Sequence, residues 1–213
     1  MLQIFRLYGE RRDFFAELLF QHLRISATAI VIAAAAGLLL GVYISSHRRA
    51  APFVIGVTNV VYTIPSISLL GFLIPFSGIG DTTAVIALTV YALLPMVRNT
   101  YTGITTIDPE IIEAARGMGS TDWQIMVKVK LPLAMTVIVA GLRNMVVMTV
   151  SLSGIAAFIG AGGLGVAVYR GITTNTINLT VAGSLLIAAI ALLCDFLLGR
   201  LEHHLKRKWR LEQ

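Results

Sequence analysis

Charge is scarce in this chain of 213 residues. Only 13% of them are Asp, Glu, Lys or Arg, against about a quarter in a water-soluble domain, which excludes an ordinary soluble enzyme. Cysteine is nearly missing. Cys194 stands alone inside an apolar run, so no disulfide forms within the chain and CxxC metal spacing is absent. The phosphate-cradling pattern GxxxxGK[ST] occurs nowhere, which excludes ATP hydrolysis by a P-loop in this chain. HExxH and a credible Ser-His-Asp set are missing too. No basic stripe with interleaved aromatics supports a nucleic-acid partner.

What the chain has in quantity is apolar sequence, with 56% hydrophobic residues and a mean hydropathy of +0.82. A membrane span needs about 20 apolar residues. Charge-free or nearly charge-free runs of that length place spans at about 25–46, 53–74, 82–104, 131–152 and 179–198. The reading is all-α, a polytopic membrane protein with five transmembrane helices. Pro65 interrupts the second span within Tyr62-Thr63-Ile64-Pro65-Ser66, a break that membrane helices tolerate where neighbours satisfy the freed backbone. Pro75 is expected to close that span, Asp81 to cap the third, and Pro95 to kink it. Residues 153–178 are glycine-rich and read as a loop with a short or re-entrant helix. Gly37-x-x-x-Gly41 allows close helix packing, inside the bundle or across a dimer.

Three segments are expected: an interfacial N-terminal stretch at 1–20, a membrane domain at 21–200, and a basic tail at 201–213. Ile4, Tyr8, Phe15, Leu18 and Leu19 give the first stretch an apolar side. Charge sets the orientation. With the C-terminus in the cytoplasm, the inner segments carry Arg48, Arg49, Arg98, Arg116, Lys128, Lys130, Arg200, Lys206, Arg207, Lys208 and Arg210, while the outer loops carry only Arg170 and the outer N-terminal segment carries Arg6, Arg11, Arg12 and Arg24, nearly balanced by Glu10, Asp13 and Glu17. Basic residues collect on the cytoplasmic side, so the N-terminus is expected outside.

The polar stretch between spans three and four is DPEIIEAARGMGSTDWQIMVKVKLP, residues 108–132. Asp108-Pro109-Glu110 is a helix start: a cap, a proline at the first helical position and an acid on the positive helix end. Gly117 and Gly119 end that helix. Thr121 and Gln124 have capping-box spacing for a second one.

This stretch resembles the EAA motif of type I ABC importer permeases: EAA, three residues, Gly, nine residues, Ile, one residue, Leu-Pro. Glu113, Ala114, Ala115, Gly119, Leu131 and Pro132 match, and Val129 stands at the Ile position. The resemblance implies the ABC transmembrane type-1 fold, with this segment as a cytoplasmic coupling helix seated on a separate ATP-binding subunit. It implies a transport subunit rather than an enzyme, with no cofactor in this chain and ATP and Mg on the partner. It also implies a second permease subunit, identical or related, an extracytoplasmic solute-binding protein, and a place in the bacterial cytoplasmic membrane. Tyr62 to Ser66, Leu94 to Ile104 and Phe158 to Gly165 are further similar to permeases of osmoprotectant importers for glycine betaine, carnitine or choline. The glycine-rich part is similar to methionine importer permeases as well, which keeps an amino-acid substrate open.

Candidate pathway or gate residues are Tyr62, Pro65, Tyr91, Arg143, Gly162, Gly163 and Asp195. Arg143 and Asp195 are costly inside hydrocarbon, about 2.5–3.5 kcal/mol each. They either pair, face water or snorkel separately. Tyr62 and Tyr91 offer ring faces to a quaternary ammonium, or simply pack. Gly162 and Gly163 are candidate deformable elements. Gly160-x-Gly162-x-x-Gly165 matches a dinucleotide fingerprint literally but lacks the strand and the following acid that the fingerprint needs. No metal site is expected; His203 and His204 read as solvated. A different class, an ion-gradient transporter or channel, would use Arg143 and Asp195 as relay groups, but it leaves the 113–132 pattern unexplained.

Overall fold

The computed structural model describes residues 2–208, all of them helix or short connection with no strand. Ten α-helices follow in order: α1 (Leu2–Glu10), α2 (Arg12–Ser46), α3 (Ala51–Thr63), α4 (Ser66–Ser77), α5 (Asp81–Thr105), α6 (Pro109–Gly117), α7 (Asp122–Ile125), α8 (Leu131–Ser153), α9 (Gly165–Thr173) and α10 (Ile177–Lys208). A π-helical turn (Met126–Lys130) joins α7 to α8, and a 3-10 turn (Gly154–Ile159) follows α8.

Four stretches are long and apolar enough to span a membrane alone. The fifth crossing is the pair α3 and α4, whose axes meet at 100°. The bent pair nevertheless runs from one end of the bundle to the other. Arg24 meets Asp81, Gly37 faces Met96 and Gly41 faces Thr100, so α2 and α5 run parallel. Two parallel neighbours require one full crossing between them, and only α3 with α4 supplies it. α8 then runs back against α5, with Gly141 on Asn99 and Gly103 on Ala134. α10 opposes α8, with Arg143 on Asp195 and Gly154 on Ile187. Five crossings put Lys208 at the same end as α6 and α7, and α1 at the opposite end.

Lipid is as apolar as Leu, so helices in it associate by close contact through small residues. α2 follows that rule: Ala29, Ala33, Gly37 and Gly41 recur every four residues and are all buried. They meet the buried Ala84, Ala87, Ala92, Met96 and Val97 face of α5. Gly37 and Gly41 thus serve packing within the chain. A Cβ on Gly41 would stand 2.5 Å from Thr100 Cβ.

Several expectations need correction. Residues 53–74 are two helices, because Pro65 has no N–H and Ile64 takes an extended ψ of 126°. Pro75 sits inside α4, which continues to Ser77 and ends at Gly78, φ +81°. Asp81 is the first residue of α5 rather than its cap, since its carboxylate is taken by another segment. α2 starts at Arg12 and α10 continues through Lys208. α1 lies against α10, where the Tyr8 hydroxyl donates to Ala182 O at 2.8 Å and burial pushes that phenol above its ordinary range.

Candidate functional site

The α6–α7 segment is built by local hydrogen bonds. The Asp108 side chain accepts from Glu110 N–H at 2.9 Å, and Pro109 opens α6. α6 stops in a Schellman turn: Ser120 N–H reaches Ala115 O at 3.2 Å and Gly119 N–H reaches Arg116 O at 2.9 Å. Gly119 holds φ +82° in open space, so glycine is needed for the backbone angle and not for room. Thr121 and Gln124 exchange both bonds of a capping box, at 3.3 and 2.9 Å. Arg116 pairs with Asp122 at 2.9 Å across the two helices.

Three buried side chains fasten this segment to the bundle: Ala115, Ile125 and Met126. Met126 joins a core with Ile104, Ala134 and Ile138. Glu113, Ala114 and Gly119 are exposed, whereas Val129, Leu131 and Pro132 are half-buried. The π turn accounts for Leu131-Pro132 in physical terms. Pro132 offers no N–H to an α ladder, and Leu131 N–H reaches back five residues to Met126 O. Helix therefore runs unbroken from Asp122 into α8.

At the middle of the bundle the chain break gathers Tyr62, Pro65 and Tyr91. The Tyr91 hydroxyl donates to Ile64 O, the carbonyl immediately before Pro65 at the break between α3 and α4. The two rings are 6.0 Å apart, edge to face. Tyr91 is buried, so its ring face is occupied; Tyr62 is half exposed, and its hydroxyl reaches Met148 Sδ at 3.4 Å.

Arg143 and Asp195 are brought together, apart from the aromatic pair. Arg143 Nε and Nη2 donate to the two Asp195 oxygens at 2.6 and 2.8 Å. Nη1 reaches Glu202 at 3.3 Å, and Glu202 in turn holds Lys206 at 2.8 Å. Gly199 leaves room for the guanidinium, which lies 3.2 Å from where a Cβ would be. Sequence reasoning missed Gly199, Glu202 and Lys206. With Asp195 they recur at helical spacing on one face of α10, and that recurrence was the available signal.

Gly162 and Gly163 fit tightly against α2. Asp81 accepts from Gly162 N–H at 2.9 Å while pairing with Arg24. Gln21 Oε1 accepts from Gly163 N–H at 3.0 Å. A Cβ on Gly162 would stand 2.4 Å from that same oxygen. His22 beside them bonds Val150 O and Ser153. Gln21, His22 and this use of Asp81 carried no sequence signal, because their partners lie 81 to 142 residues away. Gly165 belongs to the same packing, against Gly154 O, which explains the glycines without a nucleotide. Among the described residues no three His, Cys, Asp or Glu side chains converge as metal ligands would.

The family described as "Binding-protein-dependent transport system inner membrane component" matches residues 23–211. The chain belongs to this family. It is therefore a multi-pass inner-membrane transport component, with the helical fold of ABC importer permeases. Among its relatives is "Carnitine transport permease protein OpuCB" of Listeria monocytogenes, 41% identical over 188 residues, covering 88% of this chain and 86% of that one. Another is "Osmoprotectant import permease protein OsmW" of Salmonella typhimurium, 44% identical over 198 residues, covering 91% and 92%. Among solved structures, the inward-facing MetNI methionine ABC transporter matches with a TM-score of 0.79 and 25% identity, covering 90% of this chain and 95% of that one. Of the helices outside the five crossings, which include α1 and α9, the α6–α7 segment is the one that runs directly into the start of α8.

Proposed function

We propose that this chain is one of two permease subunits of an ATP-driven importer for small quaternary-ammonium osmoprotectants: carnitine, glycine betaine or choline. The α6–α7 segment carries the mechanical half of that reading. It is a small, locally fastened platform with Glu113, Ala114 and Gly119 exposed, and continuous helix joins it to a membrane span. Such a platform converts movement of a water-soluble partner into movement of a span. ATP and Mg belong to that partner. The cytoplasm holds α6–α7 and the C-terminus, in keeping with the basic residues gathered at that end, and the N-terminus lies outside.

The substrate reading is supported by relatives named for carnitine and osmoprotectants at 41 and 44% identity over most of both chains. Most residues of α3 and α4 have exposed or half-buried side chains, with only Ala51, Leu69 and Leu70 buried. A second subunit on this face would enclose a path past Tyr62 and the Pro65 break. Tyr62 then offers an open ring face to a trimethylammonium group, while Tyr91 holds the break in shape. Tight binding along a path slows release, so selection falls chiefly to an extracytoplasmic binding protein that hands over the solute.

The test is uptake by the reconstituted importer. Labelled glycine betaine is supplied with unlabelled carnitine, choline and methionine as competitors. Competition by carnitine or choline, and none by methionine, is expected. Uptake of methionine in preference to all three ammonium compounds overturns the substrate reading and favours an amino-acid importer.

A further inference from the structure

The α2–α3 turn and the α6–α7 segment share one cleft of about 740 Å³. Its floor is apolar, with Ile112, Ile125 and Met126. Its walls carry four cations, Arg48, Arg49, Arg116 and Lys130, against the single acid Asp122. Arg116 is already paired with Asp122. Among the described residues Arg48, Arg49 and Lys130 have no acidic partner within 4 Å. Trp123 on the cleft lining and Met118 at the end of α6 present large apolar side chains to solvent.

We infer that this cleft is a second contact for the ATP-binding subunit, and that it takes an acidic segment of that subunit bearing an apolar anchor. The inference rests on the reading of α6–α7 as the docking platform. A rigid partner seated on that platform also faces the α2–α3 turn, because both line the same cavity. Covering three unpaired cations without carboxylates would strand charge out of water, so the partner's chemistry there is acidic. Ile112, Ile125 and Met126 beneath the cations favour an apolar side chain at the centre of the contact. A lipid headgroup is the competing occupant. The neighbouring surface favours the protein: Asp108, Glu110 and Glu113 stand beside the Arg116–Asp122 pair, Lys128 and Lys130, a mixed pattern that suits a folded partner better than a uniformly anionic headgroup plane.

Because Cys194 is the one cysteine, a Cys194→Ser background allows single thiols to carry a photoreactive maleimide. Arg49→Cys probes the cleft, Met118→Cys the platform, and Asn175→Cys the opposite end of the bundle. In the assembled importer, irradiation is expected to link both Arg49→Cys and Met118→Cys to the P-loop-bearing polypeptide, and Asn175→Cys not to it. The double variant Arg48→Glu/Arg49→Glu is expected to weaken binding of that subunit about tenfold, and the milder Arg48→Gln/Arg49→Gln a few-fold. Raising NaCl from about 0.1 to about 0.5 M should weaken the unaltered complex more than the reversed one. A link from Met118→Cys with none from Arg49→Cys, or with phospholipid alone at Arg49→Cys, overturns the inference and leaves the platform standing. Unchanged affinity in the reversed variant overturns the acidic complement. No link from Met118→Cys removes the platform reading, and this inference with it.

Discussion

Replacing Arg143 by Met removes a guanidinium that serves two carboxylates. Glu202 keeps Lys206 at 2.8 Å, but Asp195 is left without a cation partner among the described residues. Breaking a fully buried pair by removing one partner costs about 3–5 kcal/mol. Arg143 and Asp195 side chains keep 34 and 39% exposure, so the cost falls below that of a fully buried pair. Asp195→Leu is milder, because Arg143 still reaches Glu202 at 3.3 Å. The double variant Arg143→Met/Asp195→Leu leaves neither of the two charges stranded and is expected close to the unaltered protein. Thermal unfolding of the purified permease in detergent reads these differences. Arg143→Met should lower the midpoint, Asp195→Leu should lower it less, and the double variant should recover most of the loss. Equal damage from the two single changes, or a double variant that falls by their sum, would refute the reasoning.

Other positions give sharp contrasts. Tyr91→Phe leaves Ile64 O without its hydroxyl donor and should cost about 1–3 kcal/mol in the same thermal assay; Tyr62→Phe, which loses only the Met148 Sδ contact, should cost under about 1 kcal/mol. Gly162→Val drives a side chain into Gln21 and should abolish uptake, whereas Gly9→Ala on α1, with nothing within 4 Å of its Cβ, should leave uptake unchanged. Gly119→Ala forces φ +82° on a residue with a Cβ, costing about 1–2 kcal/mol, and should weaken coupling of ATP hydrolysis to transport. Gly117→Ala, helical and in open space, should not; the reverse order between the two would remove the turn from the account.

Legibility in the sequence followed the range of the interaction. The five crossings were readable because apolar length is a local property. So were the caps of α6 and α7, because Asp108 and Thr121 bond residues two and three positions away. Pro65 announced its break by composition, but not the 100° bend, which depends on what α3 and α4 pack against. Pro75 and Asp81 misled for a related reason: proline is tolerated near a helix end, and the Asp81 carboxylate found Gly162 81 residues away. The opposition of Arg143 and Asp195 was within reach of topology alone. Glu202, although two turns from Asp195 on the same helix face, needed the α8–α10 register to become a partner. The fit of Gln21 and His22 over the glycines had no precursor in the pattern, since nothing in α2 marks which loop it will cover.

Solute accumulation in proteoliposomes, with and without the ATP-binding subunit, bears most directly on the claim that α6–α7 transmits work done elsewhere. With that subunit, the solute-binding protein and ATP on their proper sides, uphill uptake is expected, and a Gly119→Asp permease should lose it while remaining folded. Uphill uptake by this permease alone, driven by an ion gradient and indifferent to Gly119→Asp, would contradict the claim.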